Sequence, residues 1–132
     1  MDGCTVHKVI DDESRSVEQI GGLISSDIGI INTEWHRFVG RAGTIMPTLC
    51  QLPRRCGADY PGWMMGSHPS VADGTVRRKV CFASDSDCCR YQQVVYVRNC
   101  GKFYVYRLEK PSTPANVRYC VTKVLGKSCS LI

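Results

Sequence analysis

The sequence predicts a mainly β fold: a small, disulfide-rich antiparallel domain with little helix. Three observations carry that expectation. There are nine cysteines in 132 residues, β-rich runs punctuated by glycine-bearing turns follow one another from Trp35 onward, and only one short stretch suits a helix. Cysteine at this density is hard to sustain in a reducing compartment unless the thiols hold metal or do redox chemistry. No C-x-x-C pair occurs, which argues against a zinc knuckle or a thioredoxin-type site. The expected setting is therefore oxidising, secreted or at the cell surface, with no cofactor and no metal. Cys88 and Cys89 are adjacent. Neighbours rarely bridge each other, because a disulfide wants Cα atoms about 5 to 6 Å apart, so each reaches a different partner. An odd count leaves at least one thiol over.

Taken in order, Asp11 to Gln19 begins acidic, lacks Gly and Pro, and suits a turn or two of helix. Trp35 to Val39 is aromatic and β-branched, and Gly40 and Gly43 follow it as a turn. Asp73-Gly74 opens a strand over Thr75 to Phe82, with Val76, Val80 and Phe82 on one face, interrupted by Arg78, and Thr75, Arg77 and Lys79 on the other. Val94 to Arg98 and Phe103 to Leu108 flank Asn99-Cys100-Gly101-Lys102, which reads as a hairpin. Pro111 and Pro114 end the pairing, and Tyr119 to Val124 returns as a last strand that brings Cys120 to the sheet.

Length fits one domain, from about Cys4 to Cys120, with 121–132 as a tail or the start of a linker. No run of apolar residues is long enough to span a bilayer. Ile20 to Ile31 is broken by Ser25, Ser26 and Asp27, and Met1-Asp2-Gly3-Cys4 is no secretory signal. We reconcile this with export by expecting the chain to be a fragment of a larger multidomain protein. The net charge of +5 is spread along the chain, and Arg77-Arg78-Lys79 is the one basic cluster. It reads as a solvated strand face rather than a heparin or nucleic-acid patch, and its place inside a strand argues against dibasic cleavage.

The order of motifs carries a resemblance. Trp35-His36-Arg37-Phe38-Val39-Gly40 is followed by Gly66-Ser67-His68-Pro69, then Cys88-Cys89, then Phe103-Tyr104-Val105-Tyr106 and Arg118-Tyr119-Cys120. These elements, with their intervening cysteines, resemble the eight-cysteine module of the family of uromodulin and the pancreatic secretory granule membrane glycoprotein. The resemblance covers Cys4 to Cys120 and implies a non-enzymatic adhesion or interaction module of mosaic extracellular proteins, partnered by a protein or glycan. It also implies the pairs Cys4 with Cys100, Cys50 with Cys88, Cys56 with Cys120 and Cys81 with Cys89, leaving Cys129 free or joined to another chain. Spacing alone leaves about a hundred pairings of eight cysteines open. Two cysteines usual in the family, near Ser26 and Ala115 here, are missing together, as expected of partners in one bridge.

Members of the family present mannose-rich glycans, but Asn32, Asn99 and Asn116 all lack Ser or Thr two positions on. A mannose-decoy role is not supported for this segment. His7, His36 and His68 sit in no catalytic motif. His36 is expected to face water, and His68, before Pro69, to bond a backbone group in a turn. Trp35, Trp63, Phe103, Tyr104 and Tyr106 read first as core, as does Met64-Met65, and second as an aromatic binding surface. The residues offered as a binding surface are Trp63, His68, Arg77 and Arg78, with loops Met46 to Arg54 and Gly57 to Asp73 presenting it. A carbohydrate-binding domain using Trp63, and a secreted inhibitor or ligand using the loop between Cys56 and Cys81, are the alternatives.

Overall fold

A computed structural model describes residues 3–123. Seven strands form one sheet: β1 (Lys8–Ile10), β2 (Trp35–Phe38), β3 (Tyr60–Met65), β4 (Thr75–Phe82), β5 (Tyr91–Asn99), β6 (Tyr104–Arg107) and β7 (Val117–Tyr119), in the order β1-β2-β6-β5-β4-β3-β7. The centre is antiparallel, from β2 through β6, β5 and β4 to β3. Both edges are parallel, β1 on β2 and β7 on β3, so the sheet is mixed where antiparallel pairing was expected. Parallel neighbours need a long connection. The chain supplies one between β1 and β2, and β3 and β7 are drawn together by the Cys56–Cys120 bridge just outside them.

β4 covers the stretch predicted for it, and β5 and β6 form the predicted hairpin, with Cys100 N–H donating to the Phe103 carbonyl at 2.8 Å across its turn. The expected helix over Asp11 to Gln19 shrinks to one 3₁₀ turn, Glu13–Arg15, capped by Asp12. Tertiary pairing overrides local propensity there. Val17 N–H donates to the Val121 carbonyl at 3.0 Å, which holds Ser16 and Val17 extended. A second 3₁₀ turn, Val71–Asp73, carries a Ser70/Asp73 capping box. The last strand starts at Val117 rather than Tyr119, after which Val121 and Thr122 pair singly with Ser16 and Ile45. Val121 is part of the core, so packing extends past Cys120.

Side chains alternate across a sheet, so register sorts them onto two faces. The inner face carries Phe38, Tyr106, Val97, Val95, Val80, Phe82, Met64 and Tyr119, all buried. The segment from Ala42 to Pro47 lies across it: Met46 N–H donates to Tyr106 Oη at 2.9 Å and Met64 N–H to the Pro47 carbonyl at 2.8 Å. His36 shares its face with Phe38, two residues on, and is only 5% exposed, so it does not face water as expected. Its burial lowers its pKa.

Candidate functional site

Four disulfides join Cys4 to Cys100, Cys50 to Cys88, Cys56 to Cys120 and Cys81 to Cys89. They are the same four pairs named above from the resemblance. Cys88 and Cys89 do reach separate partners, one on the 50s loop and one on β4. Cys129 lies outside the described residues.

The bridges matter for the outer face of the sheet, because they cover its two ends. At one end Cys4 is tied to the β5–β6 turn, and the amino-terminal segment lies over β2 and the start of β6. Gly3 is so close to the Trp35 ring that a Cβ there would stand 2.4 Å from it. The His7 and Phe103 rings meet edge-on at 5.5 Å, and the Arg37 guanidinium sits 3.8 Å over Phe103. At the other end the Cys88–Cys89 turn folds over β3 and β4, and Trp63 Nε1–H donates to the Cys88 carbonyl at 2.8 Å.

Between these covers the face is open. Trp35 pairs with Arg107, Arg107 with Tyr96, and Tyr96 with Arg77, so one row of side chains crosses β2, β6, β5 and β4. Lys79 follows Arg77 on the same face, opposite Val94 and Met65. Arg77 and Lys79 are exposed, and Tyr96 and Val94 are half-buried. The Arg107 guanidinium lies 5.2 Å from the Tyr96 ring centre. A cleft of about 390 Å³ lined by Arg77, Lys79, Gln92, Gln93, Val94 and Ser112 continues this surface.

The residues offered from sequence therefore part company. Arg77 belongs to the open face. Arg78 points to the opposite one, with its Nε–H on the Ser67 carbonyl at 2.9 Å. Trp63 is half-buried under the Cys88 turn, and Met65 is exposed while Met64 is core. Trp35, Phe103 and Tyr106 are used in packing rather than gathered into an aromatic platform. His68 does not bond a backbone group. Its Nε2 lies 2.6 Å from Tyr106 Oη, and burial, with help from the Arg78 charge, pulls its pKa down to about 4. The two presenting loops also change character: Met46 and Pro47 are buried, and Gly57 to Asp73 contains β3.

Sequence reading missed Tyr96 and Arg107, whose alternation within β5 and β6 was visible but whose register was not. It also missed a buried charge network. Arg15, 8% exposed, grips Asp27, 4% exposed, with Nη1 and Nη2 at 3.0 and 2.7 Å. Asp27 also accepts from Tyr119 N–H at 2.7 Å, and Arg15 donates to the Tyr119 carbonyl at 2.9 Å. Beside it Arg118, 5% exposed, pairs with Asp12 and donates to Ser14 Oγ and the Cys56 carbonyl at 2.8 and 3.1 Å. These groups are mutually satisfied and tie the 3₁₀ turn and the Asp27 loop to β7.

A family model described as the uromodulin-like domain of eight cysteines matches residues 36–121. The chain belongs to that family. This uromodulin-like domain is 40% identical over 121 residues to the pancreatic secretory granule membrane major glycoprotein of Canis lupus familiaris, covering 90% of the chain and 23% of the relative. Against its counterpart in Homo sapiens the identity is 36%, covering 90% of the chain and 22% of the relative. Against uromodulin of Mus musculus it is 36% over 120 residues, covering 90% of the chain and 18% of the relative. The uromodulin-like domain thus spans less than a quarter of the length of these relatives. Among the described residues no helix is long and apolar enough to cross a membrane.

Proposed function

We propose that this uromodulin-like domain is an extracellular, non-enzymatic interaction module, part of a longer secreted or cell-surface protein, that binds a protein or glycan partner through a rigidly displayed surface. The observation that carries the reading is the outer sheet face, closed at both ends by disulfide-held covers and open between them. A face built on central strands loses little conformational entropy when a partner docks, because its side chains are set by the backbone beneath them. Names containing "glycoprotein" and "secretory granule membrane" among the relatives support the compartment. The absence of catalytic motifs is consistent with His36 and His68 serving the core. Trp63 is a poorer centre for a carbohydrate site than the sequence suggested, since its indole N–H is already engaged. An inhibitor loop between Cys56 and Cys81 is likewise disfavoured, as β3 occupies much of it.

The test is binding of the oxidised domain, multimerised on beads, to intact cells and to secreted matrix. We expect binding that is lost after reduction and alkylation. A folded domain that binds neither, or one that turns over a panel of ester, peptide and glycoside substrates, overturns the reading.

A further inference from the structure

None of the seven strands contains a carboxylate, yet the outer face gathers cations from three neighbouring strands. Arg107, Tyr96 and Arg77 share one register row, and Lys79 is the next outward residue on β4. With strands about 4.8 Å apart, these three cations fall within roughly 10 Å of one another. Glu109 approaches Arg107 at 3.7 Å. Among the described residues no carboxylate comes within ion-pair distance of Arg77 or Lys79. Between the cations the half-buried Tyr96 ring offers an apolar surface, and the adjoining cleft adds the Gln92 and Gln93 amides.

We propose that this open face binds an acidic polysaccharide, a chain bearing sulfate or uronate groups. The inference rests on the interaction-module reading and names the ligand class for it. Sugar rings present C–H faces that pack on an aromatic ring, hydroxyls that pair with side-chain amides, and charges at intervals along the chain that suit separated cations. An acidic peptide suits the face less well. Extended peptides gain affinity by adding a strand to a free edge, and β6, β5 and β4 lie inside the sheet with both edges paired. Arg77-Arg78-Lys79 alone did not identify this site, because Arg78 faces away and the other half comes from β5 and β6.

The experiment measures binding of the oxidised domain to size-defined heparin oligosaccharides, to hyaluronan oligosaccharides and to desulfated heparin, across a range of salt. Poly-glutamate and a DNA oligonucleotide of equal charge serve as competitors. We expect the Arg77→Ala/Lys79→Ala variant to lose at least about tenfold in affinity and to lower the log–log salt slope by about two, one per cation removed. Tyr96→Leu, checked for intact bridges, should weaken binding several-fold without changing that slope. The exposed cations Arg41 and Lys110 lie off this face, and their replacement by alanine should cost less than about twofold. The inference is overturned if the Arg41 and Lys110 variants lose as much as the double variant, or if poly-glutamate or DNA competes as well as the heparin fragment. Cell binding without oligosaccharide binding overturns it too and leaves the module reading standing. Absence of all binding by the folded domain removes both.

Discussion

Asp27 accepts from both Arg15 and the backbone of β7, in a place nearly closed to water. Removing one partner of such a pair strands the other charge, which typically costs about 3 to 5 kcal/mol. Asp27→Ala is therefore expected to lose that much in urea unfolding, and Asp27→Asn less, since an amide oxygen still accepts from Tyr119 N–H. Equal stability of Asp27→Ala and the parent would show the network to be dispensable. His68 supplies a pH dependence of definite sign. Its folded pKa of about 4 lies below the ordinary 6.5, so the unfolded chain takes up the proton first as pH falls. Stability is complete above pH 6.5 and declines towards pH 4, by roughly 2 to 3 kcal/mol from this group. His36 shifts in the same direction. His68→Gln should flatten the slope of unfolding free energy between pH 7 and 4.5, and an unchanged slope would assign the acid sensitivity elsewhere.

Among the elements, β4 was fully legible, because an Asp-Gly turn opens it and its apolar and basic residues alternate. The hairpin was legible for a similar reason. The segment at Ser16 was not, since its extended form depends on Val121, more than a hundred residues away. Gly43 makes a related long-range contact. It adopts φ +118°, and a Cβ there would stand 2.2 Å from the Thr122 carbonyl oxygen, so the chain before Met46 and the chain after β7 touch through backbone. Gly43→Ala combines an unfavourable φ with that clash and is expected to cost about 2 to 4 kcal/mol. Thermal unfolding with the disulfides intact checks this, and a wild-type midpoint would mean that the backbone relaxes there freely.

For the molecule as a whole, the four bridges span very different stretches, from 96 residues for Cys4–Cys100 to 8 for Cys81–Cys89. At about 2 to 4 kcal/mol each they rival the whole stability of a typical domain. Reduction is expected to abolish near-ultraviolet circular dichroism, and a reduced chain that retained it would show that the core suffices alone. Longer loops gain more from closure, so replacing Cys4 and Cys100 by serine should destabilise more than replacing Cys81 and Cys89. Comparison of the two unfolding midpoints tests that order.

Local chemistry and motif order were enough to establish the mainly β class, the disulfide framework as a family expectation, the β4 strand and the β5–β6 hairpin. They could do so because strand alternation and turn chemistry act over a few residues, and because the cysteines and the motifs around them survive as a linear pattern. The parallel edges, the burial of His36, the Arg15–Asp27 pair and the Arg107–Tyr96–Arg77 row were decided by tertiary structure alone. Each depends on which strand lies beside which, and at what register. Pairing energies between strands far apart in the chain set that register, and a period of two within one strand does not encode it.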